Sequence, residues 1–540
     1  MQLEKLRLRI AKKFKLNKLP KNIDISLLNN KFKVITKPTR TISGVAPVAV
    51  MTKPYNCPHS PNCSYCPGGL KSSFGDIPKS YTGHEPASMR AKRNNYDPYL
   101  QVFNRLEHYI LLNQIPEKTE LIIMGGTFPS FSTKYQDSFV ENALKALNDF
   151  SSLFFKDNKL DIKKFKEFFE LPCDVSSEVR TKRLQRKILL LKKSSSLKKE
   201  QLRNEVSKLR CVGLAIETRA DFGKLEHGNQ MLKLGCTRIE LGVQSVYDDV
   251  LKEVKRGHLT KDNIESIRIL KDLGFKICAH YMVGLPLTDK KRDLEGFKKL
   301  FSDSDYKPDM LKIYPCMVMP GTELYKDYKS GKFNPITTEA AAELIAEFKK
   351  YVPTYCRIQR IQRDIPSKLI IAGVDKTNLR QYIHEKFNVN CRCIRCREIG
   401  HALNKNPNLK LGEVKILINH YKASEGDEFF ISAEDVANDL IIGFCRMRFP
   451  SQSLREEIIK DAALIRELHV YSSSLQLGKK SKNSFQHRGY GKKLLETAEN
   501  IAKKHNKKKI VIISGIGVRD YYRQHLNYKR EGPYMIKHFI

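Results

Sequence analysis

The stretch Glu120-Leu121-Ile122-Ile123-Met124-Gly125-Gly126-Thr127-Phe128 decides the fold of the larger part of the chain. Leu121–Met124 is a short, unbroken apolar run of the kind that forms a strand buried on both faces. It ends on paired glycines, which allow backbone groups to approach a ligand closely. Four more such runs follow: Val212–Glu217, Arg238–Val243, Lys276–Met282 and Met310–Tyr314. Helix-periodic stretches lie between them, such as Ile267, Leu270 and Leu273. Strand, helix, strand in repetition implies a parallel sheet, and the crossover order predicts an α/β partial (β/α) barrel. In such barrels the chemistry sits at the C-terminal ends of the strands. Glu217 and Gln244 end two of these strands, and His280 and Lys312 lie within two more. Each alone reads as a satisfied core polar residue. Four on successive strands predict a shared polar cavity.

Upstream of this strand, Cys57, Cys63 and Cys66 read C-x5-C-x2-C, with Tyr65 before the last cysteine. Three thiolates on one loop can hold three irons of a 4Fe–4S cluster and leave the fourth iron open to a ligand. Spacing alone also allows a zinc site completed by His59 or His84. A second group, Cys391, Cys393 and Cys396, reads C-x-C-x2-C. It suits one metal, expected to be a structural Zn(II), although a second iron–sulfur cluster or free thiols fit the spacing too. The fourth ligand would come from Cys316, Cys356, His384 or His401. Cys316, just past a barrel strand, is the preferred one, because it would staple the connector to the barrel.

From about residue 410 the pattern changes. Lys415–Ile418, Phe429–Ser432, Leu440–Met447 and Glu467–Ser473 read as successive strands, and a helix (Lys492–Lys504) and a strand (Lys509–Ser514) follow. This predicts a separate α+β domain. Gln486-His487-Arg488-Gly489-Tyr490-Gly491 opens the helix, where free backbone N–H groups and Arg488 suit a phosphate. Downstream, Tyr521 or Tyr522 is placed to protonate a leaving group, with a packing role the plain alternative. Gln476–Ser484 reads as a loop over the entrance.

The chain has 540 residues, and Lys+Arg minus Asp+Glu is 97 − 59 = +38. This excess points to a polyanion partner. No run is apolar enough for a spanning helix, and the N-terminus lacks a secretory signal. Thirteen cysteines without a signal indicate a reducing, cytoplasmic compartment. Residues 1–45 read as a basic arm, 46–365 as the barrel, 366–405 as a cysteine-rich connector and 406–540 as the C-terminal domain. Residues 181–210 carry eleven Lys/Arg against two Glu. They read as an exposed helical hairpin inserted between barrel elements, either a solvated face or a phosphate-contacting surface.

The loop cysteines with Gly125-Gly126-Thr127-Phe128 resemble the radical S-adenosylmethionine superfamily, although its common spacing is C-x3-C-x2-C. The strand, Gln-x-x-Gly-x-Gly, helix order resembles the GNAT acetyltransferases. The pairing is similar to the catalytic subunits of the Elongator complex. The matching stretches include Cys63-Ser64-Tyr65-Cys66-Pro67-Gly68-Gly69, Gly242-Val243-Gln244-Ser245 and Arg466-Glu467-Leu468-His469-Val470-Tyr471. The resemblance implies a 4Fe–4S cluster on Cys57, Cys63 and Cys66. It implies S-adenosylmethionine bordered by Gly125, Gly126, Thr127, Glu217, Gln244 and His280, with Lys312 facing the substrate or the deoxyadenosyl group. It places acetyl-CoA on Glu467–Val470, Gln486–Gly491 and Tyr522. The implied reaction uses a 5′-deoxyadenosyl radical to take hydrogen from the acetyl methyl group. The carbon radical then adds to C5 of the wobble uridine in a tRNA anticodon stem-loop, and release of CoA with water addition leaves 5-carboxymethyluridine. Tyr81, Arg90, Arg93 and Tyr96 would form a basic–aromatic strip for the RNA. An electron donor is required, and a homodimer or Elongator-type accessory subunits are expected. Two other classes fit less well: a protein lysine acetyltransferase with a structural barrel, and a non-catalytic RNA-binding scaffold.

Overall fold

The computed structural model describes residues 2–13, 19, 41–172, 175, 177–471 and 489–539. Seven strands form one sheet: β1 (Ala46–Met51), β2 (Lys118–Met124), β3 (Arg210–Thr218), β4 (Arg238–Gln244), β5 (Lys276–Val283), β6 (Met310–Pro315) and β7 (Arg357–Ile361). Their spatial order follows their sequence order, and every neighbouring pair is parallel. β1 and β7 are edges that do not meet, so the sheet is a half-barrel. The strands read as apolar runs because both faces are covered, one by crossover helices and the other by the barrel interior. The five strands expected from the sequence are all present. β1 and β7 complete the set.

The basic hairpin departs from expectation. Its helices, Glu178–Leu189 and Leu197–Val206, pack against the barrel instead of standing in solvent. Arg180 is buried and pairs with Glu107 at 2.6 Å. Glu200 and Asn204 meet Asn148 of helix Thr133–Phe154 at 2.8 and 2.7 Å. Only part of its charge therefore faces water. At the N-terminus, Gln2–Lys13 is a helix. Residues 14–18 and 20–40 of the basic arm lie outside the described residues. Among the described residues, no helix is long and apolar enough to cross a membrane.

The second sheet has seven strands: β8 (Val414–Ala423), β9 (Gly426–Asp435), β10 (Leu440–Phe449), β11 (Ala462–Val470), β12 (Lys509–Ile512), β13 (Lys529–Glu531) and β14 (Tyr534–His538), in the order β8-β9-β10-β11-β12-β14-β13. All pairs are antiparallel except β11 with β12. That parallel pair is registered only over Ala462–Ile465 and then parts. β11 begins five residues before the predicted Glu467 and ends at Val470. Ala462-Ala463-Leu464-Ile465, buried on both faces, is strand as well.

The C-terminal sheet docks on the N-terminal ends of the barrel strands through a buried ionic network. Arg466 holds Asp309, just before β6, through both nitrogens at 2.8 and 2.5 Å, and donates to the carbonyl of Phe275 at 2.7 Å. Arg448 reaches Asp272 at 2.7 Å, and Arg446 reaches Glu467 at 3.0 Å. Glu467 in turn faces Lys276, the first residue of β5, at 3.3 Å. Tyr534 donates to the carbonyl of Leu273 at 3.0 Å.

This network gives the interface a pH signature. Burial alone would raise the Glu467 carboxyl, but Lys276 and Arg446 outweigh it and hold it down at about 2. A depressed carboxylate contributes stability that is complete above its unfolded value, about 4.3, and is lost as pH falls through the folded one. Scanning calorimetry between about pH 5 and pH 2 is expected to show a falling melting temperature, with a shallower slope in Glu467→Gln. An identical slope in the variant would refute the assignment.

Candidate active site

The cysteine loop is clamped into the mouth of the barrel. The Ser64 amide donates to the carbonyl of Val254 at 3.1 Å, and the Leu324 amide donates to the carbonyl of Ser64 at 2.9 Å. Tyr65 packs against Val250, Val254, Met282 and Leu285 beneath it. His59 lies between two thiols, 3.0 Å from Cys57 Sγ and 3.7 Å from Cys63 Sγ, and Arg256 approaches Cys63 Sγ at 3.7 Å. Burial would raise the Cys63 thiol, but His59 and Arg256 lower it overall. Thiolate is the form that binds metal. The two cysteine groups differ in spacing. Cys391, Cys393 and Cys396 bring their sulfurs within 4.8 Å of one another, whereas Cys57, Cys63 and Cys66 form no such tight set. One tetrahedral ion with bonds of about 2.3 Å draws its sulfurs to roughly 3.8 Å. Ligands to separate irons of a cluster stand further apart. The loop cysteines thus fit a cluster and the connector cysteines a single ion.

The opposite wall is made by the strand ends. Gly125 and Gly126 have φ of +128° and +102°, a region that favours glycine. A Cβ on Gly125 would lie 2.1 Å from Thr52 Oγ1, and one on Gly126 would lie 2.9 Å from Lys79 Cβ. The Gly125 amide donates to Glu217 Oε2 at 3.2 Å, and Tyr81 donates its hydroxyl to both carboxylate oxygens at 2.9 Å. Deeper in the barrel, Glu240 gathers three partners: Lys312 and His280, each at 2.8 Å, and Arg238 at 3.0 Å. Burial would lower the Lys312 ammonium, yet Glu240 raises it above its ordinary value. Burial and Lys312 lower His280. The floor therefore holds a charged lysine beside a neutral histidine. Gln244 has φ of +67°, and its Oε1 has no hydrogen-bond partner. Arg360, Arg363 and Lys79 line the same cavity with the three cysteines, Gly126, Thr127, Glu217, Gln244, His280 and Lys312.

The structure thus gathers nearly all the barrel residues singled out in the sequence. Cys316 is a correction. Its side chain packs with Val250, Met282 and Leu324 under the cysteine loop and takes no part in the Cys391–Cys393–Cys396 group. Strand β6 carries it toward the cavity end, where Met317–Val318 beside it pair with Ala372–Gly373 of the connector, whereas Cys391–Cys396 lie by Cys356 at the start of β7. The basic–aromatic strip is also corrected, because Tyr81 and Arg90 are buried, Tyr81 on Glu217 and Arg90 on the carbonyl of Ala49 at 2.6 Å. Glu240 and Arg256 were missed, as was Arg219, which donates to His59 Nδ1 at 2.6 Å. Glu240 gave the same signal as His280 and Lys312, a polar residue inside an apolar strand.

In the C-terminal domain, Gly489, with φ of +80°, precedes helix Tyr490–Lys504, and Gly491 lies in its first turn. Gln486, His487, Arg488 and the loop Gln476–Ser484 lie outside the described residues. Leu468 and Val470 belong to the part of β11 that β12 leaves unpaired. The side chain of Glu467 is committed to the interdomain network, and His469 stacks on Phe444 at 6.1 Å. Tyr522 is buried and burial pushes its hydroxyl up, while Tyr521 is exposed.

Gly125→Ala is expected to destabilise the protein by about 1–3 kcal/mol, since it adds strain at positive φ and a clash with Thr52. Denaturant unfolding measures this, and a second variant, Gly125→Ala with Thr52→Ala, should recover part of the loss. No recovery would place the strain elsewhere.

Comparison with known proteins agrees with this geometry. The Radical SAM superfamily matches residues 180–295, and the Radical_SAM C-terminal domain matches residues 308–388. The chain is 45% identical over 510 residues to the tRNA uridine(34) acetyltransferase of Methanocaldococcus jannaschii, covering 93% of this chain and 86% of that one. It is 38% identical over 555 residues to Elongator complex protein 3 of Bos taurus, covering 99% and 93%. The solved structure of Methanocaldococcus infernus Elp3 lacking its N-terminus superposes with a TM-score of 0.74 at 40% identity, covering 92% of this chain and 100% of that one. The half-barrel with its three-cysteine loop, joined to a GNAT-like mixed sheet and similar over nearly its whole length to these relatives, belongs to the Elongator complex protein 3 family.

Proposed function

We propose that the protein is a tRNA-modifying enzyme that places a carboxymethyl group on C5 of the wobble uridine, drawing on S-adenosylmethionine and acetyl-CoA. The observation that carries this reading is the convergence of Cys57, Cys63, Cys66, Glu217 and Lys312 on one cavity of a chain that also contains a parted strand pair with a buried tyrosine. Relatives named tRNA uridine(34) acetyltransferase supply the substrate class.

Cys57, Cys63 and Cys66 would hold the 4Fe–4S cluster. When bound, the cluster supplies the electron for reductive cleavage of S-adenosylmethionine. Glu217 and the Gly125–Gly126 backbone offer a carboxylate and close backbone approach to the methionyl amino group. Gln244, with its free oxygen, and His280 border the rest of that ligand. Lys312, kept protonated by Glu240, presents a positive charge to the substrate. Arg360, Arg363 and Lys79 face an RNA phosphate at the mouth. In the C-terminal domain, the unpaired edge of β11 and the start of helix Tyr490–Lys504 would receive acetyl-CoA. Burial keeps Tyr522 protonated, so it can donate to a departing thiolate. Cys391, Cys393 and Cys396 would hold Zn(II). Cys356, His384 and His401 are the candidates for the fourth ligand, with His384 Nε2 held by Lys349 at 2.8 Å. The enzyme would act in the cytoplasm with an external reductant, as a homodimer or with accessory subunits. The lysine acetyltransferase alternative leaves the cavity without a purpose.

The test is anaerobic. The reconstituted, reduced protein is given S-adenosylmethionine, acetyl-CoA and unmodified tRNA, and the digested RNA is analysed by mass spectrometry. Carboxymethylated uridine at the wobble position is expected, and Cys63→Ala should abolish it together with 5′-deoxyadenosine. Acetylated peptide with no deoxyadenosine from a confirmed reduced cluster would overturn the reading. Binding of tRNA should weaken steeply with salt, because many phosphates release counterions; a flat response would exclude the RNA. Elemental analysis of Cys393→Ala should show one zinc fewer per chain than the parent, with iron unchanged.

A further inference from the structure

A second concave site lies on the seam between helix Leu197–Val206 of the hairpin and the C-terminal domain, and it shares no residue with the cavity. Its charged lining is Lys198, Lys233, Arg455, Arg519 and Arg530, five cations and no carboxylate. Two of these are already neutralised. Lys233 pairs with Asp137 at 2.6 Å, and Arg455 pairs with Glu457 at 2.9 Å. Lys198 is exposed and has no ion pair among the described residues.

The remaining arginines depend on one carboxylate. Glu205 takes Arg523 at 2.8 Å and has only long contacts to Arg519, at 3.5 Å, and Arg530, at 3.7 Å. Asp520 is engaged with Arg523 at 2.9 Å. Arg519 is 2% exposed, and its Nε and Nη1 have no hydrogen-bond partner. Burial and the neighbouring Arg530 both act against its charge. A guanidinium does not shed its proton to relieve this. A buried, incompletely bonded cation is costly; Glu205 Oε1, itself without a hydrogen-bond partner, stands 3.5 Å from Nη1, and Nε is left for an added anion to satisfy.

We propose that this seam binds a nucleotide through its phosphoryl group, with Arg519 and Arg530 as the principal contacts and Lys198 at the rim. Paired guanidiniums match the oxygens of a phosphate. The space, about 360 Å³, is larger than a phosphate needs. Leu197, Leu232 and Pro533 line the remainder with apolar surface against which a base can rest. The contacts come from both the hairpin and the C-terminal domain, so occupancy would tie the two together. This inference does not depend on the proposed reaction.

The experiment is calorimetric titration of the full-length protein with inorganic pyrophosphate at constant ionic strength, set by chloride. Saturable binding is expected, with one component weakened at least about tenfold in Arg519→Met, a loss of about 1.4 kcal/mol. Because a core substitution can disturb folding, the exposed Lys198→Glu is the second variant, and it should weaken binding several-fold at an unchanged melting temperature. Competition then identifies the source. Displacement by AMP assigns the site to a free nucleotide, and displacement by tRNA but not AMP assigns it to a nucleotide within RNA. No saturable binding of pyrophosphate, or equal binding by the parent and both variants, would overturn the proposal.

Discussion

The rest of the structure depends on the carboxylate of Asp309. It is fully buried, precedes β6, and is gripped by Arg466 from the C-terminal sheet. Arg466 also holds Glu428, which holds Arg448, which holds Asp272 of the barrel. Taking such charges out of water is expensive, and their attraction repays it only when the geometry is excellent. Losing one partner typically costs about 3–5 kcal/mol, whereas apolar replacement of the whole set can be neutral. What the network supplies is therefore registry. Arg448 and Arg466 are bonded through every nitrogen in one relative placement of the two sheets, and the carbonyls of Phe275 and Tyr355 fit that placement by accepting from Arg466 and Arg446.

That placement puts the C-terminal sheet on the opposite end of the barrel from the cavity. The docking contacts fall at Leu273, Phe275, Lys276, Asp309 and Tyr355, at or just before the starts of strands. The cavity lies at Gly126, Glu217, Gln244, Met282 and Arg363, at or beyond strand ends. Between them the barrel axis is filled. Arg238 bridges Glu120 at 2.7 Å and Glu240 at 3.0 Å, and Glu240 bridges Lys312. This is a packed interior and not a pore. The same side chains that fix the electrostatics of the cavity floor also close the direct route between the two halves.

The barrel was legible because its strands are buried on both faces, so apolar runs such as Leu121–Met124 and Met310–Tyr314 stand out against amphipathic helices. Glu217, Gln244, His280 and Lys312 were legible for the converse reason, since polar side chains in such runs need partners. Glu240 carried the same signal but sits one layer deeper, where its role is to set the charge of Lys312. What could not be read was anything decided by direction in space. Cys316 and Cys391 are separated by the far ends of β6 and the connector, a separation that sequence spacing does not encode. The hairpin's charge count gave no sign that Arg180 points inward to Glu107, nor that Glu205 is shared among three arginines. Tyr81, read as a stacking surface, is held on Glu217, since a hydroxyl that finds a buried carboxylate is worth more there than in water.

With the axis filled, the two halves also meet along an open edge of the barrel. β7 is that edge. Its first residue, Arg357, meets the C-terminal domain by donating to the Tyr471 hydroxyl at 3.0 Å and meets the connector by pairing with Glu398 at 2.8 Å. Tyr471 directly follows β11, on the side where β11 has parted from β12. At its other end β7 delivers Arg360 and Arg363 to the cavity, where Arg363 donates to the carbonyl of Ser80 beside the cysteine loop. Six residues of extended chain span roughly 20 Å. One strand therefore meets the residue that follows β11 at its start and the cavity mouth at its end, on an edge of the described sheet with no further strand beside it. The ionic network beneath keeps β7 and β11 at that spacing, and so the registry set by Asp309 also sets the distance between the parted strand pair and the cavity.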